Sequence, residues 1–232
     1  MARRPIRVDE MSSCKPVIIG EVDVGQHVFI GPFTVLGMPK EARFHGAGQV
    51  VDNVLRTDPV SIGDDCIIGS HVTVYEGSRI AGGVTIDDFV RVGYDVEIGS
   101  GTRVIYRAHI CDRVKIGDRA RIGGFICDRA QIGTGATVMG DLLHEYSHPH
   151  EDWWGEDEEA PVIGDNAVVG FGATVVGGVV VGERSYIAAG AIVTKDIPAD
   201  HIVTGVNEVT PHKEWKGRRL GDFIRFWGKG MS

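Results

Sequence analysis

Proline is scarce in this chain, at 9 of 232 residues, and cysteine scarcer, at 4. The low proline content excludes a collagen-like or proline-rich disordered chain. Cys14, Cys66, Cys111 and Cys127 form no C-x-x-C pair, so they read as neither a zinc cage nor a disulfide framework. Small buried thiols in a reducing cytoplasm are the expectation. Positive charge is in the minority: 24 Lys and Arg face 32 Asp and Glu, a net charge of −8. That balance argues against a general nucleic-acid binder, which needs a basic footprint. No apolar run approaches the roughly 18 residues of a membrane span, so no membrane partner is expected. The opening MARRPIRVDEMSSCKP has no apolar h-region and does not read as a secretory signal.

Glycine is abundant instead. There are 33, against about 16 expected at a usage of roughly 7%. Ordered turns, where the backbone needs positive φ or close approach, account for such an excess. An aliphatic residue also returns at every sixth position. It stands at Val24, Ile30 and Leu36, then at Ile62, Ile68, Val74, Ile80, Ile86, Val92, Ile98, Val104, Ile110, Ile116 and Ile122. The spacing slips once, from Ile122 to Ile126, and continues at Ile132 and Val138. It restarts at Ile163, Val169, Val175, Val181, Ile187 and Val193. A period of six suits neither a helix nor a simple alternating strand. It suits a short strand with one inward β-branched residue, followed by a tight turn of Gly, Asp or Asn. Three such units close a triangular coil of about 18 residues, and stacked coils pair their strands in parallel. The repeat therefore predicts an all-β fold, a parallel β-helix of about seven to eight coils.

Two insertions break the coils, at residues 38–59 and 144–160. Long excursions from a repeat fold are usually functional or disordered. The second holds six acids between Glu151 and Ala160, together with Trp153 and Trp154. Two indoles are costly to leave in water, so they are expected to dock on a ligand or a neighbouring subunit. The hexad domain is assigned to residues 1–205 and a tail to 206–232. In the tail, Leu220, Phe223, Ile224 and Trp227 recur at i, i+3, i+4 and i+7, which predicts a short C-terminal helix capping the last coil.

The units IGSHVT from Ile68, IGDRAR from Ile116 and VGERSY from Val181 resemble the hexapeptide-repeat motif of left-handed parallel β-helices. The hand comes from that resemblance, since periodicity supplies none. PVIGDNAVVGFGATVVGGVVVG from Pro161 and IAAGAIVTKDIP from Ile187 resemble the carboxyl half of coenzyme A-dependent acetyltransferases. The nearest pattern is that of the maltose and galactoside, xenobiotic and sugar N-acetyltransferase group. The resemblance implies acetyl (or other acyl) transfer from coenzyme A to an amine or hydroxyl of a small-molecule acceptor such as a sugar or an antibiotic intermediate. It also implies a homotrimer with active sites between prisms.

Site residues follow residue by residue. In that group a histidine leads the extended loop before a P-V-x-I-G restart. His144 matches it by position, while His148 carries the group's His-Pro dipeptide and is the runner-up. A neutral imidazole can take the acceptor's proton as it attacks the thioester, and the thioester needs no metal. Ala189, Thr194 and Lys195 match the group's coenzyme A positions. Gly170, Gly172, Ala188 and Gly190 are small turn residues that let pantetheine approach. Tyr94, Asp95, Tyr106, Arg107 and His109 are polar, outward positions of the central coils and candidates for acceptor binding, with Trp153 and Trp154. Two other readings stand beside this one. A γ-carbonic-anhydrase-like zinc enzyme needs three converging histidines, and a non-catalytic hexapeptide protein needs no His-led loop.

Overall fold

The computed structural model describes residues 14–45, 50–51, 54–55, 57–144, 159–205 and 208–214. Each hexad forms one short strand, mostly of two residues, whose second residue points inward. Glu97–Ile98 and Lys115–Ile116 show the rule: the first residue faces outward and the isoleucine is buried. Successive strands turn through three faces. Face I contains strands from Val17–Ile18 to Ile192–Val193, face II those from Val22–Val24 to Val180–Val181, and face III those from Phe29–Ile30 to His201–Thr204. The pairings along the stack are parallel and, apart from one register shift between Leu36 and Met38, in register, as in Ile80 with Ile98 and Ile98 with Ile116. The inward side chains form one core from Leu36 to Val203.

The fold is therefore a parallel β-helix, and it has nine coils rather than seven to eight. Four units escape the hexad pattern. Ile18 belongs to the first, half-exposed coil. Leu142 is fully buried beneath a second shortened corner. Ile197 and Val203 continue the stack beyond Val193, where the sequence pattern ends. The last strand then folds back as an antiparallel pair, His201–Thr204 with Glu208–Pro211. The helix expected around Leu220, Phe223, Ile224 and Trp227 lies outside the described residues.

The slip at Ile122 to Ile126 recurs at Val138 to Leu142, so two successive turns from face III to face I lose two residues each. Glycine makes this possible. A Cβ on Gly140 would lie 2.1 Å from the Ala173 carbonyl oxygen, and one on Gly124 2.3 Å from that of Gly140. Gly140→Ala is expected to lower stability by about 1–3 kcal/mol, because backbone must move to admit the methyl. Chemical denaturation of the variant checks this, and an unchanged midpoint would contradict it.

The long corners carry a different cost. Phe33, His71 and Phe89 hold left-handed backbone at φ 60°, 57° and 61° on the corner between faces III and I. Side chains rarely tolerate that conformation. Their rings stack coil upon coil, with centroids 4.8 Å apart from Phe33 to His71 and from His71 to Phe89. The Ser78 hydroxyl is satisfied internally: its Oγ donates to the Gly93 carbonyl and accepts from the Val96 N–H. Among the described residues no helix is long and apolar enough to cross a membrane.

Candidate functional site

Both insertions leave the prism at the same corner, between faces I and II. The first departs after Val35–Met38 in the second coil, so its strand takes in Met38, and it returns at Val60–Ile62. It carries the short helix Ala42–His45 and an antiparallel pair, Val50–Val51 with Val54–Leu55. The second departs after Asp141–Leu143 in the seventh coil and returns at Val162–Ile163. The stretch of corner between them, with the adjoining strip of face I, forms the candidate site.

Its floor is a knot around Glu76, whose side chain has no exposure. The Glu76 carboxylate accepts the Lys40 N–H at 2.9 Å and the Asp58 N–H at 2.7 Å, both from the first insertion. The Arg43 guanidinium donates to it at 3.0 Å through Nε, and to Asp58 at 2.6 Å through Nη2. Burial opposes the charge on Glu76, but Arg43 and the two backbone donors together hold its pKa below the usual carboxylate value. The first insertion is thus clamped to the corner by one carboxylate. Lys40 Nζ then lies 5.1 Å from the centre of the Tyr94 ring, a cation–π distance.

The coils above stack Tyr94, Asp112 and Asp128 at one corner position. The Asp112 carboxylate accepts the Tyr94 N–H at 3.1 Å, and that of Asp128 accepts the Asp112 N–H at 2.8 Å. Burial raises the pKa of Asp112, Arg91 pulls it back, and Asp128 adds to the rise. Arg91 reaches Asp112 at 3.6 Å and lies 4.5 Å from the centre of the Tyr75 ring. His109 sits beside it on face I, with its ring tilted against Phe125 at 5.2 Å. Burial and then the Arg91 charge push the His109 pKa down. Cys111 is pushed up to about 12, first by burial and then by Asp128, so it stays a thiol at neutral pH and offers no nucleophile.

Leu142 pairs with Ile126 one coil below. Two residues on, His144 therefore takes the place in the seventh coil that Asp128 takes in the sixth. Its Nδ1 lies 3.5 Å from the Glu159 carbonyl oxygen, where the second insertion returns. A carbonyl can only accept, so the tautomer that suits this contact carries its proton on Nδ1 and leaves Nε2 a bare lone pair. Nε2 is buried, with no hydrogen-bond partner among the described residues. Gly178 admits this arrangement, since a Cβ there would lie 2.8 Å from the Cβ of Glu159.

The residues singled out in the sequence divide among three places. Tyr94, Asp95, His144, Thr194 and Lys195 stand at the corner between faces I and II. Val175 pairs with Val193, which puts Lys195 two coils above His144, roughly 10 Å at about 4.8 Å per coil. His109 lies on face I. Tyr106, Arg107, Gly170, Gly172, Ala188, Ala189 and Gly190 lie at the corner between faces III and I. Gly172 and Gly190 there have φ of 65° and 72° and open space around them. His148, Trp153 and Trp154 lie outside the described residues. Arg91, Asp112, Arg113 and Asp128 were not foreseen. The signal that reveals them is the spacing 94, 112, 128, 144, which is the coil length before and after the slips. Among the described residues no three His, Cys, Asp or Glu side chains form a metal-holding group. A shallow recess of about 400 Å³ lies apart from all this on face II, beside Lys115, Gln131 and Asp165. Glu97, Lys115 and Asp165 are its charged lining residues, and none of the candidate site residues singled out in the sequence lines it.

Comparison with known proteins matches the repeats. The family described as "Bacterial transferase hexapeptide (six repeats)" matches residues 160–195, and "Hexapeptide repeat of succinyl-transferase" matches residues 59–88. The bifunctional protein GlmU of Heliobacterium modesticaldum is 27% identical over 203 residues, covering 88% of this chain and 38% of that protein. GlmU of Streptococcus pyogenes is 31% identical over 168 residues, covering 68% of this chain and 33% of that protein. The chain thus spans about a third of the length of these relatives. LpxA from Acinetobacter baumannii superposes with a TM-score of 0.50 at 18% identity, covering 94% of this chain and 76% of that one. Repeat, register and fold agree, and the chain belongs to the hexapeptide-repeat proteins, with the left-handed parallel β-helix as its fold.

Proposed function

We propose that this protein is an acyltransferase that moves an acetyl or other acyl group from coenzyme A to an amine or hydroxyl of a small acceptor. The observation that carries this reading is His144: an imidazole at the root of an insertion, its Nδ1 turned to a carbonyl and its Nε2 buried and, among the described residues, unpartnered. Such a nitrogen is placed to accept a proton. The transferase families matched by the repeats support the reading. In this mechanism the acceptor binds at the corner between the insertions, beside Tyr94 and His109. Its nucleophilic atom loses a proton to His144 Nε2 as it attacks the thioester carbonyl. The tetrahedral intermediate then collapses and expels the coenzyme A thiolate, which takes up the proton. Lys195, exposed two coils above, meets a phosphate of the donor. Small residues at Gly170, Gly172 and Ala188–Gly190 admit pantetheine to a groove shared with a second prism of a homotrimer.

Donor binding is directly measurable. Saturating acetyl-coenzyme A should raise the melting temperature, because a ligand that binds only the folded state stabilises it. At a hundred times its Kd the gain is about 2.7 kcal/mol. Lys195→Ala should reduce the shift. No shift in the unsubstituted protein would remove the coenzyme A reading.

A further inference from the structure

Two arginines project one above the other from the corner between the insertions, and nothing in the proposed proton transfer uses them. Arg113 and Arg129 both hold left-handed backbone, at φ 58° and 60°. Their N–H groups donate to the Tyr94 and Asp112 carbonyls of the coil below, at 2.8 and 2.9 Å. This fixes them in successive coils, about 4.8 Å apart along the stack. Cations carried on adjacent coils repel each other unless something negative joins them.

The neighbouring acids are already engaged. Asp112 accepts from Tyr94 and faces Arg91; Asp128 accepts from Asp112; Asp95 lies 3.9 Å from Lys40. Among the described residues neither Arg113 nor Arg129 has a carboxylate within ion-pair distance. Arg113 Nε is moreover buried, with no hydrogen-bond partner among the described residues. A buried guanidinium donor without an acceptor is costly in a folded protein. Its guanidinium carbon lies 5.8 Å from the Tyr94 ring that Lys40 also approaches, so two cations meet around one aromatic ring.

We propose that Arg113 and Arg129 receive an oxyanion, a phosphate or a carboxylate, and that the acceptor of this protein is therefore an anionic small molecule. The term acceptor rests on the acyl-transfer reading; the anion site itself does not. A forked guanidinium matches the spacing of two oxyanion oxygens. The site stands one to two coils below His144, roughly 5–10 Å along the stack. An acceptor anchored there by its charge can present an amine or hydroxyl to the imidazole.

The test is calorimetric titration of the whole protein with inorganic phosphate and, separately, with acetate, at ionic strength held constant with sodium chloride. One anion is expected to bind saturably, and whichever binds more tightly identifies the group as phosphate or carboxylate. Arg113→Met and Arg129→Met should each weaken that binding at least tenfold. Arg79→Met, which removes an exposed arginine paired with Glu97 on face II, should leave it unchanged. Arg113→Lys, which keeps charge and loses the fork, should fall between and guards against a Met variant that misfolds. Absence of saturable binding of either anion, or equal affinity in the Arg113 variants, would overturn the proposal. A protein that binds the anion through Arg113 but releases no thiol from acetyl-coenzyme A with any acceptor overturns acyl transfer alone. One that acylates anionic acceptors equally well with and without Arg113 overturns the assignment of the anion to the acceptor alone.

Discussion

Replacing His144 by alanine is expected to lower kcat for acyl transfer by ~10²–10⁴, the usual contribution of a positioned general base. The loss should fall on kcat, with little change in KM for acetyl-coenzyme A, because the donor is held by backbone and by Lys195 rather than by the imidazole. Stability should hardly change. Among the described residues the side chain makes one long polar contact, at 3.5 Å to the Glu159 carbonyl, and its Nε2 has no hydrogen-bond partner to give up. The rate of the unsubstituted protein should fall as the solution is made acid, since a protonated imidazole cannot accept a proton. His144→Gln keeps the bulk without the basicity and should be as slow as the alanine variant. His148→Ala is the control within the same insertion and should retain most of the rate. Thiol release from acetyl-coenzyme A in single-turnover mixing separates these cases. If His148→Ala abolishes turnover and His144→Ala does not, the base is His148. If neither matters, proton removal belongs to a carboxylate or to solvent.

The repeat was legible because every coil sets the same demand at the same place. One inward aliphatic must fill a narrow triangular core, and one turn must reverse the chain, so the constraint is written again at Ile80, Ile98 and Ile116. The units that escaped are those where that demand is relaxed or shifted. Ile18 lies in the first coil, which has cover on one side alone, and half of its surface remains exposed. Leu142 follows the second shortened corner, four residues rather than six beyond Val138. Ile197 makes an isolated bridge to Val181 rather than a strand.

The site was less legible for a related reason. A hexad assigns a residue to the inside or the outside of the prism but not to one of three corners. That choice needs the phase over a whole coil, with both slips counted. Tyr94 and His109 stood out as polar residues in outward positions. Asp112, Arg113 and Asp128 look like ordinary turn residues in C-D-R-V and C-D-R-A, identical in kind to G-D-R-A at Gly117 on another corner. What distinguishes them is their position between two insertions that leave from the same edge. Tyr106 and Arg107, equally polar in sequence, are carried by that same phase to the opposite edge of face I.

Removal of the Glu76 carboxylate should produce the largest loss of stability. Glu76→Ala is expected to cost about 3–5 kcal/mol, the range for breaking a buried charge pair by deleting one partner. At about 2–4 °C per kcal/mol for a chain of this length, the thermal midpoint should drop by roughly 6–20 °C. Three donors lose their acceptor at once: the Lys40 and Asp58 N–H groups and the Arg43 guanidinium. Asp58 still receives Arg43 at 2.6 Å, but it is half exposed and cannot satisfy the two N–H groups. Glu76→Gln should lose less, since one amide oxygen can still accept, although its NH₂ would point donor against donor. The pH dependence follows from the sign of the shift. The folded-state pKa of Glu76 lies below its ordinary value, so the carboxylate adds stability above that value. The contribution declines as pH falls from about 4.3 through the lower folded value. Acid unfolding of the unsubstituted protein should therefore carry a component that Glu76→Gln lacks. The loop clamped by this knot also bears Lys40 beside Tyr94, so loss of the clamp should reach the site as well. Proteolysis between Lys40 and Asp58 should accelerate in Glu76→Ala under native conditions, because cleavage follows local opening. Equal acid profiles and equal cleavage rates in the two proteins would show that the first insertion is held by something other than this carboxylate.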